Sequence, residues 1–283
     1  MTESAPLDAA LTRSGIETVR RIGPGFDAAL VVVDRSKART LDRIARAVAA
    51  VPRGAPVVVD GDKGDGVESI LKACRKAFPV SDAFSKAHGK TFAIHAEGPA
   101  PADWQAAPRQ VDGFRTVPGV FSADGIDPGS AMLADALPPL AGRVCDLGAG
   151  WGYLAARILG ASADVAALDL VESDHEALDC ARVNVTDPRA AFHWADARDW
   201  DGGPYDAVVS NPPFHPARRA DPELGRAFIR AAARGLAPKG TFWMVANRHL
   251  PYEAALADAF AQIDTVAQTG GYKVVAARRA KRP

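Results

Sequence analysis

Cysteine is scarce in this chain of 283 residues: only Cys74, Cys145 and Cys180 are present. Three scattered thiols exclude a disulfide framework. The opening Met1-Thr2-Glu3-Ser4-Ala5-Pro6 lacks the basic and apolar stretches of a secretory leader, so a reduced, cytoplasmic protein is expected. Long hydrophobic runs are missing as well; Ala28-Ala29-Leu30-Val31-Val32-Val33 is strand-sized, which excludes a membrane-spanning helix. Net charge is absent, because 34 basic residues balance 34 acidic ones, so an anionic partner has to be held by a local patch rather than a global field. No His or Cys cluster has metal-ligand spacing, and no metal site is expected. With 48% hydrophobic and 24% charged residues the chain is not disordered, and its length leaves room for two domains, one of them a full catalytic core.

Residues 28 to 33 read as a strand ending in Asp34, and Leu41, Ile44, Ala45 and Val48 recur behind it at helical spacing. The unit repeats at once. Pro56-Val57-Val58-Val59 is a strand, Asp60-Gly61-Asp62-Lys63-Gly64-Asp65-Gly66 a glycine-rich turn, and Val67 to Phe78 a helix with Ile70, Leu71 and Cys74 on one face. Gly98-Pro99-Ala100-Pro101-Ala102-Asp103 suits an interdomain connection, which places a boundary between residues 98 and 115 and divides the chain into 1–110 and 111–283. Beyond it strands are predicted at 144–146, 163–171, 192–194, 205–210, 241–245 and 272–276, with helices at 153–159, 175–184, 225–236 and 252–260. That alternation predicts a doubly wound, mostly parallel sheet of the Rossmann type.

The strongest local motif is Asp146-Leu147-Gly148-Ala149-Gly150-Trp151-Gly152, between a predicted strand and a predicted helix. Glycines there let the backbone approach a ligand closely, and the helix N-terminus offers unpaired N–H donors. The spacing is G-x-G-x-G with an acid closing the strand, which suits a cationic, hydroxyl-bearing ligand better than a diphosphate. Glu172, 20 residues after Gly152, follows the next strand, where a carboxylate accepts hydrogen bonds from ribose hydroxyls; Asp169 is its competitor, inside the strand rather than at its tip. Together these features fit S-adenosylmethionine, which has a ribose and a sulfonium but no phosphate. Asp196 with Ala197 follows the third strand, in place to meet the adenine edge.

Ser210-Asn211-Pro212-Pro213-Phe214 follows the fourth strand and carries the reaction type. Two prolines rigidify the turn, so the Asn211 side-chain oxygen and the Pro212 carbonyl are presented as paired acceptors. Aimed at one NH2 group, they draw a planar conjugated amine toward tetrahedral geometry, and Phe214 stacks on the ring that bears it. No cysteine lies in this loop, which disfavours thiolate attack on a ring carbon and points to an exocyclic nitrogen as acceptor.

With these residues in place the sequence resembles the class I S-adenosylmethionine-dependent methyltransferases with an N-P-P-[FY] loop, and more narrowly the RsmC-type guanine-N2 methyltransferases of small-subunit (16S) ribosomal RNA. The resemblance covers roughly residues 117 to 276. It is carried by Pro118-Gly119-Val120-Phe121-Ser122, Gly125-Ile126-Asp127-Pro128-Gly129-Ser130, Asn211 to His215, Val245 to Tyr252, Gln268-Thr269-Gly270 and Tyr272-Lys273-Val274. It implies a catalytic domain preceded by a smaller, degenerate α/β copy of the methyltransferase fold. Val57 to Ala73 reads as that worn copy of Val144 to Leu159, with 60–66 at the glycine-loop position and no N-P-P sequence behind it. It further implies Asp146, Gly148, Gly150, Glu172, Asp196 and Ala197 as cofactor ligands, with Asn211 touching both cofactor and substrate, and Asn211, Pro212, Pro213 and Phe214 as the amine clamp.

The partner expected is ribosomal RNA or the small ribosomal subunit. Arg218, Arg219, Arg226, Arg230 and Arg234 adjoin the clamp and face only Asp221 and Glu223, while Lys273, Arg278, Arg279, Lys281 and Arg282 contain no acid among them; both groups are candidate phosphate contacts. His215 and His249 are placed to touch substrate, or are ordinary loop histidines. Three readings stay open: guanine-N2 methylation of 16S RNA; the same chemistry on large-subunit guanine, adenine-N6 or a protein glutamine; and a non-catalytic cofactor- and RNA-binding assembly module.

Overall fold

The computed structural model describes residues 1–213 and 222–281. Phe214, His215, Arg218, Arg219, Asp221 and Arg282 lie outside the described residues. The chain divides into two compact units, one of Met1, Glu17–Arg109 and Val117–Gly119, the other of Thr2–Ile16, Gln110–Thr116 and Val120–Pro283. The first helix, α1 (Ala5–Arg13), capped by the Ser4 side chain, belongs to the second of them.

The first unit comprises β1 (Ala29–Val32), α2 (Lys37–Ala50), β2 (Pro56–Asp62), α3 (Val67–Ala77), β3 (Phe84–Lys86) and β4 (Gly89–His95). Its sheet runs β1-β2-β4-β3, with β1 and β2 parallel and the β4 pairings antiparallel. Alternating Val57, Val59, Phe92 and Ile94 face Ile44, Val48, Ile70 and Leu71 of α2 and α3 in one apolar core. The glycine-rich stretch is not the open turn expected from sequence. Asp60, Gly61 and Asp62 continue β2 and pair with Thr91, Lys90 and Gly89, and a β-carbon at Gly61 would stand 2.5 Å from Val33 Cβ, so this glycine serves strand packing. Only 63–65 turn, as a short 3-10 segment before Gly66 caps α3.

The second unit continues with β5 (Arg109–Val111), β6 (Phe114–Thr116), α4 (Pro128–Ala136), β7 (Gly142–Leu147), α5 (Tyr153–Ala161), β8 (Val165–Glu172), α6 (His175–Asn184), β9 (Ala190–Trp194), β10 (Tyr205–Ser210), α7 (Pro222–Gly235), β11 (Leu236–Asn247), α8 (Glu253–Ala259), β12 (Phe260–Gln268) and β13 (Tyr272–Ala280). Its sheet runs β12-β13-β11-β10-β7-β8-β9, parallel from β11 to β9, with β13 antiparallel to both of its neighbours. Strand β7 is central: the chain winds to one side through β8 and β9, then returns to the other through β10. That reversal opens a crevice at the C-terminal ends of β7 and β10, the place where doubly wound sheets bind ligands. No described helix is long and apolar enough to cross a membrane.

Candidate active site

Strand β7 delivers Asp146 to the crevice. It is fully buried, and neither carboxylate oxygen has a hydrogen-bond partner among the described residues. Burial, reinforced by the negative charge of Glu172, pushes its pKa up to about 7. The glycine loop that follows takes left-handed backbone at Gly148, Gly150 and Gly152, and at Gly152 a β-carbon would also stand 3.0 Å from Val185 Cγ2 and 3.2 Å from Ala181 Cβ. Any side chain there would strain the backbone and wedge α5 away from α6.

Glu172 ends β8 and is half-buried. Its carboxylate accepts from the backbone N–H of Gly150 and of Asp174, both at 2.8 Å, and from the Ser173 hydroxyl at 3.2 Å, so it staples the glycine loop to the next strand tip. Burial raises its pKa from the ordinary carboxylate range against those hydrogen bonds. The competing acid is committed elsewhere. Asp169 pairs with His193 Nε2 at 2.8 Å and accepts from the Tyr205 hydroxyl at 2.8 Å, with Arg143 at 3.6 Å. Asp196 is forked by Arg198 at 2.5 to 3.0 Å; burial works to raise its pKa, but the hydrogen bonds and charge of Arg198 hold it below the usual range. Ala197 is buried beside it.

At the tip of β10 the Ser210 hydroxyl donates to Leu147 O at 2.6 Å, tying the two loop-bearing strands together. Asn211 comes next, and its Nδ2 donates to Asp127 Oδ2 at 2.9 Å and to Ser130 Oγ at 2.8 Å. An amide has two N–H donors and one carbonyl acceptor, so these contacts consume the nitrogen and fix the flip. The remaining atom, Oδ1, is buried with no partner among the described residues. Pro212 is buried and Pro213 half-buried; Phe214, expected to stack on the substrate ring, lies outside the described residues.

One cleft is lined by Asn211, Asp127 and Ser130 together with Gly148 to Trp151 and Phe121. The structure thus brings the glycine loop and the clamp asparagine together across the 60-odd residues that separate them. Asp127 and Ser130 have no role in the sequence reading beyond the resemblance. Their Asp-Pro-Gly-Ser run is a helix start, with Asp127 capping α4 and Pro128 in its first turn, and that much was readable; the link to Asn211 was not.

The basic groups are distributed differently from expectation. Arg226 and Arg230 both pair with Glu223, at 3.4 and 2.6 Å, and Arg234 donates to Arg198 O. These three arginines line a separate, larger cleft of about 1190 Å³, with Asp201, Asp258 and Lys281, which shares no lining residue with the cleft of Asn211. The 273–281 segment is not a loose tail. Residues 273–280 lie in β13, where Lys273 is buried and paired with Glu253, and Arg278 pairs with Asp264 at 2.7 Å. His249 is a loop residue whose backbone N–H donates to Asn247 Oδ1.

Residues 112–276 match the methyltransferase small domain family. Ribosomal RNA small subunit methyltransferase C of Shewanella loihica is 30% identical over 267 residues, 90% of this chain and 78% of that protein. The chain belongs to this family. Its relative in Shewanella baltica (strain OS155) is 32% identical over 236 residues, covering 79% of this chain and 67% of that one. Among solved structures, the T. thermophilus 16S rRNA N2 G1207 methyltransferase (RsmC), in complex with AdoMet and guanosine, superposes with a TM-score of 0.83 at 26% identity, over 98% of this chain and 81% of that chain. The doubly wound unit of this family member is therefore a class I methyltransferase fold, and the mixed α/β class expected from sequence holds for both units.

Proposed function

We propose that this protein is an S-adenosylmethionine-dependent methyltransferase acting on the exocyclic N2 amine of a guanine in small-subunit ribosomal RNA. The observation that carries the reading is Asn211 Oδ1, a buried acceptor with no donor among the described residues, held by Asp127 and Ser130 in the same cleft as the glycine loop. A buried polar atom left unpaired is costly unless a ligand completes it, and an NH2 group is the donor that fits. The family relatives, named for the small-subunit ribosomal RNA, and the solved relative holding AdoMet and guanosine support the same substrate class.

The residues present fit the cofactor. Asp146 supplies a buried carboxylate with no partner among the described residues for a cationic amine, Gly148 and Gly150 supply backbone without side chains, Glu172 supplies acceptor lone pairs at the strand tip for ribose hydroxyls, and Asp196 and Ala197, just beyond β9, are the candidates for the adenine edge. When bound, S-adenosylmethionine supplies an electrophilic methyl group. The chain's own contribution is positioning: Asn211 Oδ1, with the Pro212 carbonyl as second acceptor, holds the two amine protons and leaves the nitrogen lone pair directed outward. Both acceptors are neutral, so the amine keeps its protons until the nitrogen has acquired a fourth bond.

The N-terminal unit, built on Glu17–Arg109, is best read as the degenerate copy of the fold ahead of the catalytic domain; the division expected at 110/111 falls where this unit ends, while α1, inside the expected 1–110, belongs to the catalytic unit. Gly66 caps α3 at φ 89°, ψ 22°, and Gly152 caps α5 at φ 90°, ψ 17°, both without a side-chain cap, which supports a shared ancestry of the two strand-to-helix turns. The buried, unpaired Cys74, Cys145 and Cys180 support a reducing, cytoplasmic setting.

Transfer of labelled methyl to purified small subunits, large subunits, naked ribosomal RNA and bulk protein, followed by nucleoside analysis, tests the proposal. N2-methylguanosine from small subunits or their RNA is the expected product. Label in adenosine, in large-subunit RNA or in glutamine would replace the substrate, and cofactor binding with no transfer would replace the enzyme by a binding module.

A further inference from the structure

Phe121 is an anomaly on the rim of the active-site cleft. A large apolar ring, it is 56% exposed, yet its backbone is tied to the glycine loop. Its carbonyl accepts from the indole N–H of Trp151 at 2.9 Å, and Trp151, itself buried, sits inside the glycine loop between Gly150 and Gly152. The next residue, Ser122, has φ 51°, a left-handed conformation that a non-glycine residue adopts only when its surroundings impose it. Those surroundings are visible: the Ser122 hydroxyl donates to Gly125 O at 2.7 Å, and the fully buried Thr116 donates to Ala123 O at 2.8 Å. A strained turn is thus bolted to the glycine loop, and the ring it carries is left in solvent instead of being packed away.

We infer that Phe121 is a stacking platform for the target base, in addition to the stacking expected of Phe214. This rests on the methyltransferase reading above and adds to it a residue that positions the acceptor. Asn211 Oδ1 and the Pro212 carbonyl govern the edge of the base through its amine, but contacts at one edge leave the plane of the ring free to tilt about the line that joins them. An aromatic ring on the wall of the same cleft, carried by that anchored backbone, removes that freedom. It also compensates a base drawn out of its RNA stack for the neighbour it has lost. An aliphatic side chain at this position would offer contact area but no flat face, and a mobile one would lose the orientation that the Ser122 turn secures. The chemical class recognised by the ring is therefore a planar heterocycle, presented unstacked.

The test uses the full chain and four variants: Phe121→Ala, Phe121→Leu, Phe121→Tyr and Phe121→Trp. The readouts are the Kd for S-adenosylmethionine by calorimetry and kcat and KM for the RNA acceptor. Since the ring is exposed, the cofactor Kd also reports that each variant is folded. The inference expects Phe121→Ala and Phe121→Leu to lower kcat/KM for RNA by about tenfold or more, with cofactor Kd within about twofold of wild type, and the two aromatic variants to restore most of the loss. Equal kcat/KM in Phe121→Ala overturns it. So does a parallel loss of cofactor affinity, which would assign the ring to the cofactor, and so does full activity in Phe121→Leu, which would reduce the ring to bulk. Failure of the underlying reading shows separately, as a wild-type protein that methylates no guanine.

Discussion

Asn211 donates from Nδ2 to Asp127 Oδ2 at 2.9 Å, and the same carboxylate oxygen accepts the Ser130 backbone N–H at 2.7 Å. One atom therefore starts helix α4 and sets the orientation of the clamp amide. The cap and the clamp are one structure, and a substitution can be chosen to separate them.

Asp127→Ser retains a helix-capping hydroxyl but is too short to reach Asn211. Thermal stability should change by less than about 1 kcal/mol, the scale of a cap. Turnover should fall by roughly 10- to 100-fold as the amide loses its fixed flip, with cofactor affinity unchanged. Asn211→Ala should lower turnover further, by about two to three orders of magnitude, again with cofactor Kd nearly intact. Steady-state kinetics beside calorimetric titration checks both, and wild-type turnover in Asn211→Ala would remove the clamp from the mechanism.

Asp146 makes cofactor binding pH-dependent. Its pKa is raised from 3.8 to about 7, first by burial and then by Glu172, so below that value the free protein holds it neutral. A neutral acid offers no charge to a cationic amine, so affinity for S-adenosylmethionine should fall by about tenfold per pH unit as pH drops below 7. For stability the sign is opposite. The folded state binds more protons than the unfolded state between the two pKa values, so this carboxyl costs stability as pH rises from about 4 to 7. Asp146→Asn should flatten the binding profile at low affinity while raising the melting temperature at pH 8. A cofactor Kd independent of pH in the wild type would contradict the assignment.

Glu172 and Asp169 answer the ribose question by opposite outcomes. Glu172→Ala removes an acceptor at the strand tip and frees the Gly150 N–H it holds, and should weaken cofactor binding by about 10- to 100-fold. Asp169→Asn disturbs a network of His193 and Tyr205 instead, and should lower the melting temperature with cofactor Kd within about twofold. Reversal of the two phenotypes would move the ribose contact into the strand.

Gly152→Ala should destabilise the protein by about 1 to 3 kcal/mol, because it combines left-handed backbone with a β-carbon driven against Val185 and Ala181. A melt of the variant without cofactor isolates that packing cost from any loss of binding.

Much of the catalytic unit was legible because its signals are local. Helix α6 runs His175–Asn184 as expected, started by Asp174 accepting from Glu176 and Ala177, and β10 spans the Tyr205–Ser210 run. Strand β12 was missed for a physical reason. It is an edge strand in which nearly every side chain between Phe260 and Gln268 is exposed, so burial imposes no alternation on Phe-Ala-Gln-Ile-Asp-Thr-Val-Ala-Gln. Helix α1 and strand β4 likewise escaped, and Gly61 was misread because a glycine that admits a close neighbour looks, in sequence, like one that makes a turn. Asp146, Glu172 and Asn211 stood out by type and spacing. Asp127 and Ser130 did not, since a bond to a residue more than 80 positions away leaves no periodicity behind.

The placement of β13 between β11 and β12 makes assembly of the sheet non-sequential. As the chain leaves the ribosome, β12 emerges before the strand it must lie against, and it waits undocked until Tyr272–Ala280 has been inserted beside β11. Premature termination just ahead of Tyr272 would therefore strip two strands from the sheet rather than one. It would leave the newly bared edge of β11, with Trp243 and Val245 on it, as a template for aberrant pairing between nascent chains.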